Sequence, residues 1–233
     1  DTDRRKTADQ ICVDLMNLFQ LYHFRYQEVS DSILCSVVPP LNFMMEKALT
    51  RLLGKPPMVV GPGIRTGLNI KAEIHNQLGS DIVASSVAAI AKYPSPIVMV
   101  DMGTATSLSL IVGSVYEGCI IMPGLALALD ALSERAAALP PISIETASPV
   151  GLMGHTTEEA MRSGVLYGHA SMVDGMLERI EESIGQSVTT VATGGNAPRI
   201  LRYCKRPIQY DADLIMTGLY LLYQKNAKKY RKA

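Results

Sequence analysis

A chain of 233 residues that is 48% hydrophobic and 19% charged can bury a sizeable core in one large domain or two small ones, and this composition excludes a disordered chain. Its 22 basic and 22 acidic residues cancel, so no nucleic-acid footprint is expected. No uninterrupted apolar run reaches the ~18 residues of a membrane span, and no signal peptide is visible, so neither a membrane partner nor export is expected.

Four cysteines (Cys12, Cys35, Cys119, Cys204) stand far apart with no C-x-x-C pair, and His23, His75, His155 and His169 lack ligand spacing. The pattern points to reduced thiols in the cytoplasm rather than a disulfide frame or a zinc site.

In chain order, Thr7 caps a helix whose buried face carries Ile11, Leu15, Leu18, Phe19 and Tyr22. Asp31 to Val38 reads as a strand ended by Pro39-Pro40. Leu41 to Leu53 is then an amphipathic helix closed by Gly54. Met58 to Val60 is a second strand stopping at the glycine-rich loop Gly61 to Gly67, where Arg65 can attract an anion or simply face solvent. Gly79-Ser80-Asp81 opens a small-residue helix, Ile82 to Lys92. Pro94 and Pro96 mark a hinge, which predicts domains over 1–94 and 95–233.

Beyond the hinge come strands over Ile97 to Asp101, Leu108 to Val112 and Tyr116 to Ile121. A helical stretch runs from Pro123-Gly124 to Pro140. Thr156, with Glu159 three residues later, caps a helix from Glu158 to Ser183. A strand over Gln186 to Ala192 meets Thr193-Gly194-Gly195-Asn196, followed by a helix from Pro198. Asp211 begins the last helix, whose basic end, Lys225 to Lys232, reads as solvated. The first half repeats this order in part, without its first three strands, as expected of two related halves around a nucleotide cleft.

Three turns carry candidate chemistry. Asp101 stops a strand beside Gly103, with hydroxyl and N–H donors at Thr104 and Thr106, so its carboxylate can face a metal ion or phosphate. An ordinary hairpin also accounts for such a turn. Asp81 is either a helix cap or a base that accepts a proton from a substrate hydroxyl, and the two are compatible. Gly194-Gly195 can lie flat against a nucleotide or merely join strand to helix. Their order, with a hinge between halves, is that of actin/hexokinase-like kinases and favours ATP binding.

The residues that carry a family resemblance run along the whole chain. They are TDRRKTAD (Thr2 to Asp9), CSVVPPL (Cys35 to Leu41), VVGPGIRTGLNI (Val59 to Ile70), GSD (Gly79 to Asp81), VDMGTAT (Val100 to Thr106), DALSERAAALP (Asp130 to Pro140), MRSGVLYG (Met161 to Gly168) and ATGGNA (Ala192 to Ala197). In this order they resemble type III pantothenate kinases, the Bvg accessory factor-like proteins.

The resemblance implies an α/β, two-domain fold of the actin/hexokinase/Hsp70 (ribonuclease H-like) kind. It implies ATP-dependent phosphorylation of pantothenate, the first step to coenzyme A, by a cytoplasmic homodimer. Asp81 is then the general base, with Gly79, Ser80, Ile82 and Thr157 beside the substrate. Asp101 is the ligand of a monovalent cation, K⁺ or NH₄⁺, and Mg²⁺ accompanies ATP. Gly103, Thr104, Gly194 and Gly195 bind the nucleotide. The carboxylates at 81 and 101 are expected to converge across the hinged gap.

Several features depart from the family pattern. The family opens with a strand ending in an Asp-x-Gly-Asn-Thr phosphate loop, and this sequence starts after it, so the N-terminal domain is expected without its first strands. The arginine after the catalytic aspartate is Ile82 here, a tyrosine near the pantothenate pocket falls at Ala72, and a glycine becomes Cys119. These departures keep two alternatives open: a weak or inactive nucleotide-binding accessory protein, and a kinase of another small hydroxylated acid or sugar.

Overall fold

The structure is a computed structural model that describes residue 3 and residues 5–71, 78–145 and 150–230. The chain divides into two compact units. One comprises Asp1–Gly67, Asn76–Ala88 and Ile215–Ala233, the other Leu68–His75 and Ala89–Leu214.

In the first unit, helix α1 (Ala8–Leu21) starts at Thr7, whose hydroxyl accepts from the Gln10 N–H in a capping box. Its first half is the better covered, although Phe19 further along is half-buried with its ring near Tyr26. Ala8 and Ile11 pack with Cys12 and Leu15 against Ala48, Met44 and Met45 of α2 (Pro39–Leu53). Leu18 and Tyr22, expected on the buried face, are 49% and 64% exposed because this cluster ends before them.

The strand expected over 31–38 shortens to β1 (Ile33–Leu34), parallel to β2 (Met58–Val59). The Ser36 hydroxyl accepts the Val38 N–H at 3.1 Å and turns the chain. Pro39 and Pro40 then occupy the first positions of α2, where a missing N–H costs nothing. They therefore start a helix rather than end a strand. Asp31, before β1, accepts from Lys55 and Tyr223 and ties the strand to the chain beyond α2 and to the last helix, α7 (Leu214–Tyr230).

Helix α3 (Ser80–Lys92) contributes Ala84 and Val87 to a core with Val60 and Leu222. Its alanines admit α7 at backbone distance. A β-carbon on Gly218 would stand 1.9 Å from the Ala84 carbonyl oxygen.

The second unit is built on a six-stranded sheet. Its strands are β3 (Asn69–Ile70), β4 (Ile97–Met102), β5 (Ala105–Val112), β6 (Val115–Pro123), β7 (Thr189–Thr193) and β8 (Gln209–Tyr210), in the order β3-β6-β5-β4-β7-β8. β4, β5 and β6 form an antiparallel meander, while β4, β7 and β8 run parallel. The first hairpin is tighter than expected, with Gly103 and Thr104 alone between β4 and β5.

Val98, Val100, Met102 and Leu108 of the sheet share a core with three helices: α4 (Leu125–Arg135), α5 (Thr157–Ile184) and α6 (Ala197–Leu201). Helix α5 is one uninterrupted element that buries Met161, Val165, Val173 and Leu177. Each such side chain stabilises the fold by roughly 1.5–3 kcal/mol. Its cap departs from a full capping box. The Thr156 hydroxyl accepts from the Glu159 N–H, but the Glu159 carboxylate takes the His155 N–H rather than that of Thr156.

The last helix starts at Leu214 rather than at Asp211, because the Asp211 side chain is engaged elsewhere. It accepts from Lys92, from the Tyr93 hydroxyl at 2.9 Å and from the Asp213 N–H at 3.2 Å. Burial alone would raise its pKa, but the hydrogen bonds from Lys92 and Tyr93 outweigh burial and hold it below the usual carboxylate range. Burial, reinforced by Asp211, pushes the Tyr93 hydroxyl up to about 12.

Two consequences can be measured. Gly218→Ala has no room to relax against a backbone carbonyl, so it should lower the unfolding free energy by about 3 kcal/mol, the upper end of the overpacking range. An unchanged melting temperature would refute that close approach. The Asp211 carboxylate stabilises above the usual carboxylate range and loses that effect as pH falls. The Tyr93 hydroxyl stabilises below its unfolded value and loses it as pH climbs. Asp211→Asn should therefore cost about 2 kcal/mol in urea melts between about pH 5 and pH 9, and less on either side.

Candidate active site

β4 is one of the two central strands of the sheet, and its carboxyl end is where an open α/β sheet offers room for a ligand. Asp101 stands there, half-buried and paired with Ser107 on β5 and with Thr193 on β7. Two turns meet around it. In the first, the Gly103 N–H donates to the Ala105 carbonyl at 3.0 Å, and the Thr104 carbonyl accepts from the Gly124 N–H at 3.1 Å. In the second, following β7, the Asn196 N–H donates to the Met102 carbonyl at 3.0 Å. The Asn196 side-chain amide donates to the Gly103 carbonyl at 3.2 Å.

Gly194 makes this juncture possible. Its φ of +93° belongs to the left-handed region, and a β-carbon on it would lie 2.7 Å from both Asp101 Oδ1 and the Met102 carbonyl. A β-carbon on Gly103 would lie 3.8 Å from the same Asp101 oxygen, so the carboxylate stands between the two turns. Gly195 differs, since a β-carbon there would meet open space.

Thr104 is exposed at the hairpin tip. Thr106, expected to offer its hydroxyl alongside, is instead fully buried, and its Oγ1 has no hydrogen-bond partner among the described residues. The tight turn accounts for this: it places Thr106 inside β5, on the core side.

A single carboxylate between two turns suits a hard cation that takes its remaining ligands from water or phosphate, and does not suit a protein-only cage. Among the described residues, no group of three or more His, Cys, Asp or Glu side chains could hold a metal ion.

The other predicted residues lie in the first unit. Gly79 precedes α3, Ser80 and Asp81 open it, and Ile82 follows, all half-buried. The Gly79 carbonyl accepts from the Val83 N–H at 3.1 Å, closing the first turn. Asp81 Oδ1 accepts from the Ile82 N–H at 2.8 Å and lies 2.4 Å from where a Gly79 β-carbon would be. Among the described residues, Asp81 Oδ2 has no hydrogen-bond donor, which leaves a lone pair for a proton.

The predicted residues thus form two groups, one in each unit: Gly79, Ser80, Asp81 and Ile82, and Asp101, Gly103, Thr104, Gly194 and Gly195. Thr157, in the second unit, is the exposed first residue of α5. Ala72 lies outside the described residues. Cys119 is exposed on β6, opposite Ser109.

The sequence reading missed two residues with structural roles in these groups. Asn196 could have been suspected from its place directly after the glycine pair. Cys35 could not, because its partner, Ser80, is far along the chain. A cleft of about 800 Å³, lined in part by Tyr167, Asp174, Glu178, Tyr203 and Arg206, contains none of the predicted site residues. No helix among the described residues is long and apolar enough to cross a membrane.

Comparison with known proteins agrees with the motifs. The sequence profile of the type III pantothenate kinase family matches residues 1–179. A type III pantothenate kinase from Exiguobacterium sp. strain AT1b is 40% identical over 228 residues, spanning 97% of this chain and 89% of that protein. The one from Bacillus cytotoxicus is 39% identical over 228 residues, spanning 97% and 86%.

Among solved structures, a conserved Baf family protein from Campylobacter jejuni, described as a transcriptional activator, superposes with a TM-score of 0.60 at 18% identity. It covers 91% of this chain and 89% of that one. Component A of (R)-2-hydroxyglutaryl-CoA dehydratase from Acidaminococcus fermentans follows with a TM-score of 0.50 at 11% identity, over 94% and 84%. At such identities the likeness concerns the fold alone, which is the α/β actin/hexokinase-like one expected from the sequence. Matching motifs, a family profile over most of the sequence and relatives near 40% identity along nearly its whole length give one answer: the chain belongs to the type III pantothenate kinase family.

Proposed function

We propose that this chain transfers the terminal phosphoryl group of ATP to the primary hydroxyl of pantothenate, the first step toward coenzyme A. The observation that carries the chemistry is the Asp81 carboxylate, with one oxygen held by the Ile82 N–H and the other without a donor among the described residues. Such a group is placed to receive the hydroxyl proton as the oxygen attacks phosphorus. Phosphoryl transfer asks for this positioning more than for an unusual pKa.

In this reading Gly79, Ser80, Ile82 and Thr157 border the substrate. Gly103 and Thr104 meet the phosphates, and Gly194 and Gly195 lie along the adenosine. Asp101 would hold K⁺ or NH₄⁺ and Mg²⁺ would travel with ATP, the cations offsetting phosphate charge. The enzyme works as a cytoplasmic homodimer on a small-molecule substrate, with no nucleic acid or membrane partner.

A second reading, a kinase of another small hydroxylated acid, is favoured by Ile82, which brings an apolar side chain rather than a cation beside the base. ADP release measured with pantothenate and with a panel of hydroxylated acids separates the two. Pantothenate is expected to support turnover, and turnover with a different acid alone would transfer the assignment to the second reading.

Asp81→Asn keeps the shape of the side chain and removes its proton acceptor. It should lower kcat by about 10²–10⁴-fold with little change in the KM for pantothenate. A variant retaining near-wild-type kcat would remove Asp81 from the role of base. The glycine pair offers a control for the nucleotide. Gly195→Ala fits its open surroundings, so it should leave the melting temperature unchanged while raising the KM for ATP about tenfold or more. Gly194→Ala should lower the melting temperature as well, because backbone strain and the clash with Met102 add to any effect on binding. An unaltered KM for ATP in Gly195→Ala would place the nucleotide elsewhere.

A further inference from the structure

Asp81 is the second residue of its helix, a position that frays unless something outside the helix holds it. β1 ends at Leu34, and the two residues after it reach the start of α3. The Ser80 hydroxyl donates to the Ser36 carbonyl at 3.1 Å and accepts from the Cys35 thiol at 3.3 Å. Serine near a helix start commonly bonds to nearby backbone. Here it reaches across 44 residues to the end of a strand.

Ser36 is itself held, since its hydroxyl accepts the Val38 N–H. Cys35 packs against the core formed by Val60, Ala84, Val87 and Leu222, so the anchor is rooted in the hydrophobic interior of its unit. The thiol also senses the carboxylate next door. Burial pushes the Cys35 pKa up, the Ser80 hydrogen bond opposes this, and the charge of Asp81 adds to the rise. Cys35 therefore stays a neutral S–H donor at working pH and puts no competing charge beside a group that must take up a proton.

We propose that Cys35 and Ser80 are positioning residues for Asp81, fixing the first turn of α3 to the end of β1 so that the carboxylate is held at one place and angle. The proposal rests on the reading of Asp81 as the base. A misplacement of about 1 Å at a reacting group can cost about 10²-fold in rate, so one hydroxyl that sets the rotation of a helix start has leverage on kcat.

The test combines kinetics with a measurement that needs no substrate. In steady-state assays with ATP and pantothenate, Ser80→Ala should lower kcat by about tenfold or more. The KM for ATP and the melting temperature should be nearly unchanged. Ser80→Thr, which keeps the hydroxyl, and Cys35→Ser, which keeps a donor, should recover most of the loss seen in Ser80→Ala and Cys35→Ala. A Ser80→Ala variant with wild-type kcat, or one whose loss of activity only follows loss of folded protein, overturns the proposal.

Separately, iodoacetamide labelling of Cys35 is followed across pH by peptide-resolved mass spectrometry. Asp81→Asn should move Cys35 labelling to lower pH and Ser80→Ala to higher pH. If neither shifts it, the three groups do not meet as described and the proposal fails. If both shifts appear while the wild-type protein releases no ADP with pantothenate, the functional reading fails and the cluster stands.

Discussion

Beside the end of β4, Gly194 and Gly124 stand where there is no space for a side chain, and the junction of two turns in the second unit follows from that crowding. Gly194 brings its backbone against Met102 and the Asp101 carboxylate, and Gly124 comes closer still to Thr104, where a β-carbon would stand 2.2 Å from the carbonyl oxygen. Two turns that would otherwise be independent loops become one body, joined by the backbone and side-chain amides of Asn196. A carboxylate at such a juncture has few orientations open to it. In the proposed reading, that restriction suits a site for concentrated negative charge, because the groups are set before the ligand arrives and need not reorganise around it.

The first unit solves a similar problem with different chemistry. Its sheet, among the described residues, is only two short parallel strands, too little to hold a functional side chain rigidly by itself. Rigidity comes from helices packed at backbone distance, with Gly218 of α7 against Ala84 of α3, and from polar ties at the ends of β1. Asp31 anchors the start of that strand through Lys55 and Tyr223. At the other end, the Ser36 carbonyl and the Cys35 thiol take up Ser80. Asp81 thus inherits its position from buried apolar packing by way of a short polar chain.

Where expectation and structure part, the cause is a local group whose effect letters alone do not convey. The pair Pro39-Pro40 has the composition of a strand terminator, but a serine two residues upstream of Val38 turns the chain, and the prolines become a helix start. Thr106 looked like a second donor next to Thr104. A turn shorter than expected carries it into the strand and buries it. Asp211 looked like the head of the final helix, yet Lys92 and Tyr93 claim its carboxylate, and the helix begins at Leu214.

The sequence by itself determined the family, the α/β class, a long helix over 158–183, the turns at 79–81 and 193–196, and a hairpin after Asp101, though not its exact length. These are local in origin: periodic apolar residues, caps, and glycines where the chain must bend. Only the tertiary structure decided which half of α1 is better covered, that the final helix packs with the first unit, and that Gly194 and Gly103 flank the same carboxylate. It alone paired Cys35 with Ser80 across 45 residues. Such facts depend on contacts between groups distant along the chain, and the energy of those contacts is set by close packing and by satisfaction of buried polar groups. Neither has a period or a motif that can be read from neighbouring letters.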